Sequence, residues 1–237
     1  ETDISRFIPS LPGYVYAVKD NQVYVNLFLS NRAELKLNEK KVVLEQETGY
    51  PWNGDIRVKV AQGNLPFTMN IRIPGWVRGS VLPSDLYSYA DDLKLGYRVL
   101  VNGEEVTGEL RKGYLRIDRK WKKGDVVEVH FDMHPRVVKA NEKVVADRGR
   151  VAVERGPIVN IQNIILNRHP KFQVTEKPEL LYGINEITTE VQALGFDAAG
   201  KLATRDVTLT LIPYYAWAHR GEGKMDVWLP VNRIDVE

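Results

Sequence analysis

The sequence predicts an all-β fold made of two antiparallel, jelly-roll-like β-sandwiches. Three observations carry this. Apolar and polar residues alternate with a period of two along most of the 237 residues. Turn-forming pairs break the alternation at short, regular intervals, and helical periodicity surfaces in one short stretch only. Half-solvated strands joined by tight turns bury their apolar faces by packing sheet on sheet. One such sandwich takes roughly 100 residues. The length therefore suits two domains, residues 1–135 and a smaller one at 136–237.

The first strands are YVYAV (14–18) and VYVNLFL (23–29). They flank KDNQ, where Asp20-Asn21 suits the positive φ of a two-residue hairpin. In RAELKLNEKKVVLEQET, Ala33, Leu35 and Leu37 alternate with charged residues, the pattern of a strand with one wet face. Ile56, Val58 and Val60 repeat it, then Phe67, Met69, Ile71 and Ile73. Asn102-Gly103, inside YRVLVNGEEVTGEL, is the strongest hairpin signal in the chain. GYLRIDRKWKKGDVVEVHFDM forms another pair, turning at KKGD, with Val127, Val129 and Phe131 on one face and Glu128 and His130 on the other. SDLYSYADDLKL (84–95) spaces Leu86, Tyr89 and Leu93 as a short loop helix would.

A domain boundary is expected near HPRVVKANEKVVADRGR (134–150), which opens on proline and is rich in charge. The runs beyond it, among them RVAVERGPIV, INEITTEVQALGF, RDVTLTLIPYYAWAHRG and KMDVWLPVNRIDVE, make the second β domain.

Composition narrows the function classes. The 33 basic and 31 acidic residues leave a net charge of +2 with no basic block, so nucleic acid is not an expected partner. No apolar run approaches the ~20 residues of a membrane span, and ETDISRF does not read as a signal peptide. The chain has no cysteine. That excludes disulfides, thiolate metal sites and cysteine nucleophiles from these residues.

Candidate chemistry is sparse. His130 and His134 are four apart, but on a strand that spacing separates them by ~13 Å, too far to share a zinc ion. Glu104-Glu105 and Asp91-Asp92 fall in turns, where acids are simply solvated. ERGP (154–157) reads as a buried ion pair with a turn, or as a ligand contact. The aromatic residues at turns offer faces for sugar stacking. The carbohydrate-contact candidates are Trp217 and Tyr215, on one face of PYYAWAHRG with Tyr214 opposite, and Trp76 in IPGW. Core packing is the competing use of each. No catalytic residue and no metal ligand is assigned.

The ordered set SRFIPSLPGYVYAVKDNQVYVNLFLSN, NIRIPGWVRG, VLVNGEEV, GYLRIDRKWKKGDVVEVHFDM, ADRGRVAVERGPIV and PYYAWAHRGEGKMDVWLP resembles the C-terminal part of glycoside hydrolase family 127, the β-L-arabinofuranosidase type. The resemblance implies an upstream (α/α)6 barrel holding the active site, with a zinc-bound cysteine cluster that supplies the nucleophile. None of those residues has a counterpart here. Zinc is therefore implied for the catalytic barrel and no cofactor for this chain. The sequence then reads as a piece of a longer polypeptide, its partner being the barrel. The resemblance implies that the sandwiches serve as a scaffold, with homo-oligomer contacts as a further expectation. The implied substrates are plant-derived arabinose-containing glycans, and the implied compartment is the bacterial cytoplasm or periplasm.

The alternatives are a carbohydrate-binding module and a structural or adhesive sandwich protein. One further expectation follows from the resemblance. ISRFIPSLPG (4–13) carries Ile4, Phe7, Ile8 and Leu11, while Pro9 and Pro12 oppose regular helix. It should form an exposed apolar patch where it leaves the barrel.

Overall fold

The computed structural model describes residues 7–161, 171–177, 184–196, 202–216 and 227–230. They form two compact units. One combines Glu1–Arg78 with Lys94–Asp132, and the other combines Gly79–Leu93 with Met133–Glu237.

The first unit is built from two sheets. Its five-stranded sheet runs β1 (Tyr16–Lys19), β2 (Gln22–Val25), β6 (Asn64–Arg72), β11 (Tyr114–Lys122), β10 (Leu110–Arg111). Its six-stranded sheet runs β3 (Asn31–Leu37), β4 (Lys40–Thr48), β5 (Asp55–Gln62), β12 (Val126–Phe131), β8 (Tyr97–Val101), β9 (Glu104–Glu105). The predicted alternation is what buries them. Ile56, Val58 and Val60 point inward from β5, and Val127, Val129 and Phe131 from β12. Trp121 fills the core beside Phe67, and its indole N–H donates to the Phe67 carbonyl at 2.9 Å, so burying the ring strands no polar atom. Asn102 and Gly103 both hold positive φ (55° and 83°), the geometry a two-residue hairpin needs.

All pairs in these two sheets are antiparallel except β2 with β6, which is parallel. A parallel pair needs a long crossover. Here β3, β4 and β5 supply it, and all three lie in the other sheet.

The second unit strings its strands in the order β16 (Gln173–Lys177), β17 (Ile184–Phe196), β18 (Leu202–Pro213), β15 (Ile158–Ile161), β14 (Arg150–Arg155), β13 (Pro135–Ala140), β7 (Tyr87–Tyr89), with β19 (Leu229–Pro230) paired to β14. Val151 and Val153 of β14 pack against Ile187 and Val191 of β17 and Leu209 and Leu211 of β18. The sheet therefore folds back to bury its own face. On the other side of β14, Ala152 joins Tyr89 and Val138, with Tyr87 stacked on Trp228.

Three expectations are corrected. Residues 84–95 form no helix. They contribute strand β7, paired with β13 through Val138↔Tyr89 and Ala140↔Tyr87. Tyr87 and Tyr89 are two apart and both turn toward apolar neighbours, so strand periodicity prevails over the helical spacing of Leu86 and Leu93, which are exposed. The stretch 134–150 is not a linker throughout. Its first half is β13, whose Arg136 and Val138 are buried, and only residues 141–149 loop. Finally, Pro9 and Pro12 do not prevent helix. Residues 7–10 are helical, and a further turn, α1, spans Pro12–Val15. Proline is tolerated in a first helical turn, where the missing N–H has no acceptor to reach.

Candidate functional site

Several strongly exposed apolar side chains fall close together in sequence at the start of the described chain. Phe7 and Ile8 are 57% exposed and Tyr14 60%, with Val18 and Leu29 also in solvent. The backbone that carries them is nevertheless pinned. Ser10 Oγ donates to the Phe7 carbonyl at 2.6 Å, and the Tyr14 N–H donates to Leu11. Val15 is buried, and its carbonyl accepts the Asn26 N–H at 2.9 Å. Asn26 then works in both directions, its amide donating to the Tyr14 carbonyl and its oxygen accepting the Tyr114 hydroxyl at 2.8 Å. The result is a fixed pedestal presenting three large apolar side chains to water, a cost that a soluble surface avoids unless something covers them.

The carbohydrate-contact candidates have different fates. Trp76 is 7% exposed. Its ring meets Phe131 edge to face at 5.8 Å, and its N–H points to the Tyr50 hydroxyl at 3.4 Å. No face of Trp76 is left for a sugar. Tyr215 is 41% exposed and lies in the helical turn 214–216 beside Tyr214, which is also exposed, so the two do not take opposite faces of a strand. Trp217 lies outside the described residues.

His130 Nδ1 lies 2.6 Å from Asp55 Oδ1, and His134 is exposed in the loop after β12. His169 and His219 lie outside the described residues. The recess beside His130, about 620 Å3, is lined by charges of both signs, including Glu47, Asp55, Arg57, Arg98 and Glu128. Its one hydroxyl, on Thr48, is committed to the Asp55 carbonyl at 2.7 Å.

Asp91 is not simply a solvated turn acid. The buried Arg136 reaches it at 2.8 Å through Nη2 and 3.1 Å through Nε, and stacks on Tyr89. Tyr89 donates its hydroxyl to Glu154, the acid of the ERGP motif. Burial pushes the Glu154 carboxyl above its ordinary range even though Tyr89 and Arg136 oppose the shift, and burial, with Glu154 beside it, pushes the Tyr89 phenol up as well. This constellation fastens β7 to β13 and β14. Sequence alone could not have found it, because it joins residues 45 to 65 positions apart.

Zinc, implied by the family resemblance for the catalytic barrel, finds no fitting donor set among the described residues. The chain has no cysteine, and among the described residues no three His, Asp or Glu side chains gather.

Comparison with known proteins gives a consistent result. The family model for the β-L-arabinofuranosidase GH127 middle domain matches residues 22–133, and that for the glycoside hydrolase family 127 C-terminal domain matches residues 135–230. A non-reducing end β-L-arabinofuranosidase of Bifidobacterium longum subsp. longum is 29% identical, over 95% of this chain and 36% of its own length. Among solved structures, a GH127 β-arabinofuranosidase superposes with a TM-score of 0.93 at 69% identity, over 97% of this chain and 38% of that one. A GH127 β-L-arabinofuranosidase from Geobacillus stearothermophilus superposes with a TM-score of 0.82 at 32% identity, over 97% and 37%. The chain thus spans well under half the length of each of these relatives.

Proposed function

The chain belongs to glycoside hydrolase family 127, of which it carries the middle and C-terminal domains, and from that premise we propose that it is the non-catalytic scaffold of a β-L-arabinofuranosidase-type hydrolase. The observation that carries this is the pinned apolar pedestal of Phe7, Ile8 and Tyr14 at the N-terminal edge of the middle domain. Such a surface suits a permanent intramolecular contact, and the relatives are longer enzymes in which the matched region shares one polypeptide with further chain. In this reading the catalytic domain rests on residues 7–18. The retaining thiolate chemistry, its zinc and the arabinose-containing substrate all belong to that domain.

Two constructive steps test the proposal. The chain alone should hydrolyse no aryl β-L-arabinofuranoside, with or without added zinc. The N-terminal portion of the 69% identical β-arabinofuranosidase should melt lower and aggregate when expressed alone, and recover when this chain follows it in one polypeptide. Turnover by the isolated chain, or an N-terminal portion equally stable without it, would overturn the scaffold reading.

A further inference from the structure

The outer face of the five-stranded sheet holds a recess that the scaffold role leaves unused. Cross-strand register places Tyr24, Asn70 and Arg116 side by side on β2, β6 and β11, on the face opposite the core residues Val23, Met69 and Leu115. Asn70 forms the floor. It is 2% exposed although it points away from the core, because the β1–β2 turn at Lys19-Asp20 and the β10–β11 turn at Arg111-Lys112 rise on either side. The recess is open to solvent on one side and holds about 360 Å3. That is the size of a small-ligand site and far more than one inorganic anion fills.

The lining is rich in donors. Lys19, Arg111 and Lys112 make no ion pair among the described residues, and Asp20 is the one acid in the wall. Arg116 has only loose carboxylate neighbours, Asp118 at 3.5 Å and Glu109 at 4.0 Å, and its buried Nε has no partner. A concave site with this excess of one sign concentrates positive potential. Beside the cations sit groups suited to hydroxyls. The Gln22 carboxamide oxygen takes the Tyr24 hydroxyl at 3.2 Å and the Asn70 amide at 3.3 Å, which leaves the Gln22 amide nitrogen to donate outward. Tyr24 and Tyr114 meet edge to face at 5.4 Å, forming an aromatic wall.

We propose that this recess binds a polyhydroxylated carboxylate of monosaccharide size, that is, a uronic acid or the uronate unit of an acidic glycan. Arg116, with Lys19 and Arg111 at the rim, takes the carboxylate. Gln22 and Tyr24 take the ring hydroxyls above the Asn70 floor. Charge alone would suit phosphate, and the hydroxyl-directed groups alone would suit a neutral sugar. The two sets together, in one recess of this volume, select a sugar acid. The proposal is independent of the scaffold role.

Calorimetric titration of the whole chain tests it, with D-galacturonate, D-glucuronate, an oligogalacturonide, D-galactose and inorganic phosphate as probes. At least one uronate or the oligogalacturonide should bind, with galactose and phosphate weaker by about tenfold or more. The exposed pair Lys19→Gln/Arg111→Gln should weaken uronate binding by about tenfold with an unchanged melting temperature, and Arg116→Gln by more. Binding of the free acid and the oligomer alike points to recognition of one sugar unit, and binding of the oligomer alone to recognition within a chain; both support the site. No binding by any acid overturns it. So does phosphate matching the uronates, galactose matching them, or affinity surviving in both variants.

Discussion

The guanidinium of Arg136 lies over Tyr89, with its central carbon 3.4 Å from the ring centroid, while the same group holds Asp91 through two nitrogens. Arg136 is on β13, and Tyr89 and Asp91 are on and just after β7, so one side chain ties the inserted strand to the second unit. Cation–π stacking and a forked ion pair use the planar face and the edge of the guanidinium at once.

Arg136→Ala should therefore cost about 2–3 kcal/mol in urea unfolding, below the roughly 3–5 of a fully enclosed pair because Asp91 keeps contact with water. Arg136→Lys should recover little, since an ammonium cannot stack and fork together. A loss within about 0.5 kcal/mol, the range of ordinary surface substitutions, would show that β7 is held by Tyr87, Tyr89 and backbone pairing alone.

Stability should depend on pH through two carboxyls of opposite sign. Burial raises the folded-state pKa of Glu154, so the folded chain holds that proton longer than the unfolded one. Its contribution is present below the ordinary glutamate range and is lost as pH rises through the raised value. Burial also acts to raise Asp125, but hydrogen bonds from Asn102 and the Lys122 N–H, both at 2.9 Å, outweigh it and lower the pKa. The Asp125 contribution is present above the ordinary aspartate range and is lost as pH falls through the lowered value. Melting temperatures recorded from pH 3 to 8 should show Glu154→Gln flattening the decline toward neutral pH and Asp125→Asn flattening the decline on the acid side. Parallel curves for both variants and the parent chain would contradict the assignment.

Trp121→Ala should cost about 3–5 kcal/mol, because the ring is fully buried and its removal leaves the Phe67 carbonyl without its donor. Trp121→Phe should retain part of this. Chevron or equilibrium denaturation measures both, and a cost under about 1 kcal/mol would mean that the core closes over the gap.

Strand order along the chain was readable wherever one face is dry. Val127, Val129 and Phe131 announced β12, and Asn102-Gly103 announced its hairpin, because period-two burial and positive φ leave local marks. The capture of residues 79–93 by the second unit left none, since it depends on Arg136 meeting Tyr89 across 47 positions of chain. Trp76 looked available at a turn, yet Phe131 and Tyr50 enclose it. The recess around Asn70 was hidden for the same reason. Asn70 reads as a solvent-facing strand residue until two distant turns wall it in. The apolar residues Phe7 and Ile8 were legible as misplaced in water, but not the helical turns that display them.

The central claim, that residues 7–18 form the seat of a catalytic domain, is tested most directly by hydrogen exchange. The amides of 7–18 would be followed in this chain alone and in a polypeptide where it follows the N-terminal portion of the 69% identical relative. The scaffold account predicts that exchange at 7–14 is slower by at least about tenfold in the longer polypeptide than in the chain alone, with Val15 protected in both by its burial. Equal exchange in the two polypeptides would contradict it.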